Sequence, residues 1–98
     1  MTSVDIKPSK AKNKKFTAIF SDDQGKKIKT VQFGDSRYED YTMHKDKKRR
    51  DRYRNRHRKN LAKTTYMSPA HLSYYISWGD SSNINTNINK YKKMFKLT

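Results

Sequence analysis

Apolar positions in the first third of the chain recur with a period of two. In KFTAIF, Phe16, Ala18 and Phe20 alternate with Thr17 and Ile19, and in KKIKTVQF, Val31 and Phe33 alternate with Thr30 and Gln32, the pattern of strands buried on one face. Between the two runs lies SDDQG, where Asp22 and Asp23 are turn formers and Gly25 accepts positive φ without steric cost. These features predict a β-hairpin that ends at Gly34. Further along, the period becomes helical. Ser68 and Pro69 suit an N-cap and a first helical residue, Leu72, Tyr75 and Ile76 form an apolar stripe, and Gly79 suits the position after a helix, so Pro69 to Trp78 is predicted to be a short helix. Ile84, Ile88, Tyr91 and Phe95 then recur as in an amphipathic helix, with Ser81 or Ser82 as cap and Asn85, Asn87, Asn89, Lys92 and Lys93 on the polar side.

The middle of the chain has almost no apolar pattern. DSRYEDYTMH reads as an irregular or short helical connector, after which Asp46 is placed to cap a helix starting at Lys47. RDRYRNRHR alternates as a strand would, but four guanidinium groups along one strand face would repel one another, and Arg and Lys favour helix. On a helix, Tyr53, His57 and Leu61 share one stripe and basic residues take nearly all the rest. An isolated hairpin is marginal in water and needs cover for its aromatic face. The expected fold is therefore α+β: a small single domain over residues 15–98, a β-hairpin packed against two or three short helices. Its expected core holds Phe16, Phe20, Val31, Phe33, Tyr53, Leu72, Ile76, Trp78, Ile88, Tyr91 and Phe95. Residues 1–14 read as a basic N-terminal arm, because five of the nine residues from Lys7 to Lys15 are Lys.

Charge changes the picture most. The chain carries a net charge of +15 on 98 residues, whereas a net charge of about 2 to 8 suffices for the solubility of a small domain. Self-repulsion of that size destabilises a compact state unless an anionic surface neutralises it in use. Ten of the fifteen residues from Lys45 to Lys59 are Lys or Arg. Such side chains contact phosphate through charge-assisted hydrogen bonds and release counterions, without reading base sequence. The candidate polyanion-binding residues are Lys10, Lys12, Lys14 and Lys15 in the arm and its junction, and Lys47, Lys48, Arg49, Arg50, Arg52, Arg54, Arg56, Arg58 and Lys59 in the helix. The expected partner is nucleic acid, DNA ahead of RNA, with an acidic protein surface as the alternative. No helix-turn-helix, zinc-finger, RRM or KH signature is present.

Candidate chemistry is sparse. His44, His57 and His71 lack metal-ligand spacing, and there is no cysteine for a disulfide or a thiolate zinc site. No phosphate-binding loop, nucleophile elbow or dinucleotide fingerprint occurs. Asp40, Asp46 and Asp51 lie among cations that favour their ionised form, the reverse of a poised general base. The expectation is a non-enzymatic protein without metal, cofactor or small-molecule substrate. No apolar run is long enough for a membrane span, no secretory signal is evident, and no helix pairs a basic face with a broad apolar one; a soluble intracellular protein is expected.

KKFTAIF, GKKIKTVQFG and DYTMHKDKKRRDRYRNRH together resemble a small family of basic proteins encoded by nucleocytoplasmic large DNA viruses, among them chlorella viruses and mimivirus relatives. In that family F-x-A-x-F, K-T-V-x-F-G and D-Y-T-x-H-K-D precede a basic helix, a Trp-containing helix and Y-K-K-x-F. The counterparts here are Phe16, Ala18 and Phe20; Lys29 to Gly34; Asp40 to Asp46; Trp78; and Tyr91 to Phe95. Two departures stand out: Lys47 where the family often has Pro, and the unlike stretch from Leu61 to Met67. The resemblance implies a virus-encoded, virion-packaged protein, either in genome packaging or condensation or as a minor capsid protein cementing other virion proteins. Its implied location is the virion, and the host cytoplasm or nucleus during infection. It carries over no catalytic residue.

Overall fold

A computed structural model describes residues 1–98. Three antiparallel strands, β1 (Ser3–Pro8), β2 (Lys14–Ser21) and β3 (Lys27–Asp35), form a sheet in sequence order. Helices α1 (Tyr41–His44), α2 (Lys47–Leu61), α3 (Pro69–Leu72) and α4 (Ile84–Met94) follow, and a π-helical turn over Ser73–Ser77 continues α3. The chain is thus an α+β fold, as the alternating and helical patterns predict.

The hairpin is β2 and β3, with Phe16 opposite Phe33 and Ala18 opposite Val31. Asp22 closes its turn by accepting from the backbone N–H groups of Gln24 and Lys26, at 3.0 and 2.9 Å, and Gly25 takes φ +78°. Gly34 does not end β3, which continues through Asp35. With φ +77° at Gly34, a Cβ there would lie 3.4 Å from the Lys15 Cβ.

The largest departure from expectation is at the N-terminus. Ser3–Pro8, within the segment read as an arm, forms a third strand, with Val4 opposite Phe20 and Ile6 opposite Ala18. This puts Val4 and Ile6 on the core face, and Val4 is only 3% exposed. The other edge of β1 is capped by the chain's own C-terminus: the Val4 N–H donates to the Thr98 carbonyl and the Thr98 N–H to the Thr2 carbonyl, both at 3.0 Å.

Val4, Ala18, Phe20, Val31, Phe33, Leu72, Ile76, Tyr91 and Leu97 make the core, with Phe16, Ile88 and Phe95 half-buried against it. Tyr53 and Trp78 do not belong to it. They stack on each other at 4.3 Å between ring centres, 8° from parallel, with His57 and His44 at the outer ends, 4.2 Å from Tyr53 and 5.2 Å from Trp78. This second cluster fastens α2 to the domain.

In the C-terminal third, Ser68 caps α3 by accepting from the His71 N–H, as its position before Pro69 predicts. The helix widens when the Trp78 N–H reaches back to the Ser73 carbonyl, 2.9 Å away. The cap of α4 is Asn83, which accepts from the N–H groups of Asn85 and Thr86; Ser81 instead accepts from the Asn83 N–H. Asn87, expected on the polar face of α4, is fully buried. Its amide donates to the carbonyls of Ile76 and Ser81, at 2.9 and 2.6 Å, and accepts from the Ser81 N–H at 2.9 Å, so its bonds tie the π-helical turn and the loop after it to α4. Gly79 leaves room for this contact, since a Cβ there would meet the Tyr75 carbonyl oxygen at 2.2 Å and the Asn87 side chain at 2.7 Å.

Candidate nucleic-acid interface

The sequence DYTMHKD builds the platform for the basic helix. Asp40 caps α1, accepting from the Thr42 N–H and hydroxyl, and takes a third bond from the Lys15 ammonium at 2.8 Å. Lys45 adopts left-handed φ +58° to end α1. Asp46 then caps α2, accepting from the N–H groups of Lys48 and Arg49, and those bonds hold its carboxyl below its ordinary pKa. Helix α2 starts at Lys47, as Asp46 in the capping position predicts.

No residue of α2 is buried, and its attachment is made by half-buried side chains. Beside the Tyr53 stack, Arg50 places its guanidinium 4.9 Å from the centre of the Tyr41 ring, and Arg54 sits equally far from that of Tyr74. Arg50 also pairs with Asp51 at 3.0 Å and donates to the Asp80 carbonyl, while Arg54 pairs with the Asp80 carboxylate at 2.9 Å. Burial pushes the Tyr74 phenol up, but the adjoining Arg58 and Arg54 outweigh it and leave its pKa below the ordinary value. Burial and, after it, the charge of Arg56 lower the pKa of His57 below its ordinary value, which disfavours an imidazolium within the stack.

The basic residues expected to meet a polyanion therefore separate into groups. Arg50 and Arg54 are engaged inside the fold. Arg58 lies beside Tyr74, and Lys47, Lys48 and Lys59 are exposed on α2. Lys15 is a half-buried tether to Asp40 rather than an open cation. Lys10 and Lys12 project from the turn between β1 and β2, and Lys14 begins β2 opposite Asp35. That turn is joined to the loop after β3 by the Ser36 N–H, which donates to the Asn13 carbonyl at 3.1 Å, so its lysines lie at the same end of the sheet as that loop.

Arg49, Arg52 and Arg56 behave differently. They lie on one flank of α2 at i, i+3 and i+7 and are exposed, and none of them takes part in an ion pair. They line an open cleft of about 510 Å³, whose other walls are Lys15, Tyr53, Trp78 and the Asp35 to Asp40 loop with Tyr38 and Glu39. Two of the three cleft carboxylates are already neutralised. Asp40 holds Lys15, and Asp35 accepts a bidentate bond from Arg37 that lowers its pKa to about 2. Only Glu39 lacks a cation, leaving the cleft cationic. The alternation of Arg along the sequence signals the charge but not this division. It follows from Asp80, which lies 26 residues beyond Arg54, and from Tyr41 and Tyr74.

No group of three or more metal-ligating side chains comes together, and no helix is long and apolar enough to cross a membrane. Ser68 and His71 approach to 3.1 Å, but both belong to the cap of α3.

The fold and its surface define a small α+β domain that presents one cationic flank of a helix over a cleft. The chain belongs to DUF5754, a family of unknown function, which it matches over residues 4–57. That span runs from β1 into α2 and includes Lys15, Tyr38, Arg49, Arg52 and Arg56. No curated protein and no solved structure matches it.

Proposed function

We propose that this protein is a non-enzymatic, sequence-independent polyanion-binding protein whose partner is nucleic acid. One observation carries the reading: Arg49, Arg52 and Arg56 stand together on one side of α2 without internal counter-ions, although neighbouring arginines in the same helix are paired or packed. At a rise of about 1.5 Å per residue they cover roughly 10 Å of helix axis. That is the axial length of about three nucleotides in one duplex strand. The lysines of the β1–β2 turn extend the surface. In the virus-encoded setting implied by the resemblance of the strand and helix motifs, such a protein serves genome packaging or condensation in the virion.

Salt titration of binding to two unrelated DNA duplexes tests the proposal. Affinity should fall steeply with salt and equally on both sequences. Replacing Arg49, Arg52 and Arg56 together by Gln should weaken binding and reduce the slope by about 2 to 3, at roughly 0.9 for each phosphate that is no longer neutralised. Absence of binding at low salt to these duplexes and to a single strand alike would refute nucleic acid as partner and favour an acidic protein surface.

A further inference from the structure

The cleft is more than a charged helix face, because it is concave and has aromatic walls. Its volume of about 510 Å³ falls in the range of roughly 300 to 1,000 Å³ typical of small-ligand sites. Tyr53 and Trp78 contribute to its wall but use their ring faces on each other and on His57 and His44, so they offer no flat surface to a ligand. Tyr38 does. It is a large aromatic side chain, 69% exposed, on the loop opposite the arginines. Its nearest cationic neighbour, the Arg37 guanidinium, lies 6.0 Å from the ring centre and is bound to Asp35. An exposed aromatic ring across a cleft from unpaired guanidiniums supplies the two contacts that a nucleotide needs, a stacking surface and a phosphate site.

We propose that this cleft takes one unpaired nucleotide unit, its phosphate on Arg49, Arg52 and Arg56 and its base stacked on Tyr38, so that the protein binds single strands in preference to duplexes. The inference rests on the polyanion reading above and sharpens it. A base paired within a duplex has both faces covered by its neighbours, whereas an unpaired one can leave the stack and lie on an aromatic ring. Glu39, on the same loop as Tyr38, has no cation partner and repels phosphate from that wall. It thereby orients the ligand, with phosphate toward α2 and base toward the loop. The requirement is a nucleotide carrying both groups, which either an exposed stretch of strand or a free mononucleotide supplies.

Fluorescence anisotropy with a short labelled oligothymidylate, its abasic counterpart of equal charge, and a duplex of equal length tests the assignment on the full chain. Wild type should bind the intact strand more tightly than either of the others. Tyr38→Ala should lose roughly fivefold or more in affinity for the intact strand, the lower end of what one base stacked on an aromatic side chain contributes. The same variant should leave abasic and duplex binding unchanged, and Tyr38→Phe should behave as wild type. Thymidine monophosphate added as competitor separates the sources. Displacement at concentrations no higher than the strand's own midpoint assigns the site to a free nucleotide, and lack of displacement assigns it to a strand. Unchanged single-strand affinity in Tyr38→Ala, or equal binding of intact and abasic strands by wild type, would overturn the stacking site while leaving the polyanion reading standing. Failure of wild type to bind any of the three probes at low salt would remove both.

Discussion

A few polar side chains hold this domain together in ways that their residue types do not announce. Asn87 is the clearest case, since asparagine on a helix reads as solvent-facing. Here its one acceptor and two donor positions match three backbone groups between Ile76 and Ser81, of which the Ile76 carbonyl is buried and would lose its partner with the side chain. Asn87→Ala would leave the buried Ile76 carbonyl without this donor and release the part-buried N–H and carbonyl of Ser81, and a buried polar group without a partner costs about 1 to 3 kcal/mol. The variant should therefore be destabilised by about 1 to 3 kcal/mol, read as a lowered urea midpoint with unchanged slope. Wild-type stability would show that the loop finds other partners. Asp40 is a second example: read from the sequence it is one acid among many bases, yet it joins Lys15 of β2 to the cap of α1. Both roles depend on contacts across 6 to 25 residues of sequence, beyond the reach of local pattern.

At the scale of elements, legibility follows the strength of local signals. The alternation of Phe16, Ala18 and Phe20 with Val31 and Phe33 marks the hairpin, and Asp46, Ser68 and Pro69 mark helix starts, because strand periodicity and capping act within a few residues. Strand β1 carries the same alternation, Val4 and Ile6 against Asp5 and Lys7, but over only two apolar positions. SVDIKP holds two apolar side chains and runs into a lysine-rich turn, and its order comes from hydrogen bonding to β2, the seat of Val4 in the core and the C-terminal cap at Thr98. Leu97 is hidden for the same reason, in a polar tail that folds back on β1. Sequence places Trp78 and Tyr53 in the core because large aromatics usually bury most of their surface, but they form the separate stack that holds a helix with no buried residue of its own. The importance of β1 is testable. Deleting residues 1–8 should abolish cooperative thermal unfolding, since it removes Val4 and Ile6 and exposes one whole edge of β2, whereas replacing Lys10 and Lys12 by Gln should leave the melt unchanged. A truncated protein that melts like wild type would mean that the segment is a dispensable arm after all.

For the whole molecule the governing fact is an excess of 15 positive charges on a domain of 98 residues. The sequence makes that excess plain and leaves its arrangement undecided. Folding consumes part of it: Arg50 and Arg54 go into packing and pairing, Lys15 into a tether, Arg37 into Asp35. Of what is left open, Lys26, Lys27, Lys29, Lys63, Lys93 and Lys96 are spread over the rest of the surface, while one group gathers on a flank of α2 and in the β1–β2 turn, at the end of the sheet where the loop after β3 carries Tyr38. The cations of that group, and not the full set of arginines, should meet the partner. The sharpest test is to titrate isotope-labelled protein with a short oligonucleotide at low salt and follow the side-chain Nε–Hε signals of arginine. Arg49, Arg52 and Arg56 should shift progressively, together with the backbone amides of residues 36–39, while Arg50 and Arg54 hold their positions against Tyr41 and Tyr74. Equal shifts across all the arginines, or none at Arg49, Arg52 and Arg56 in a complex that forms, would refute this division of the charge.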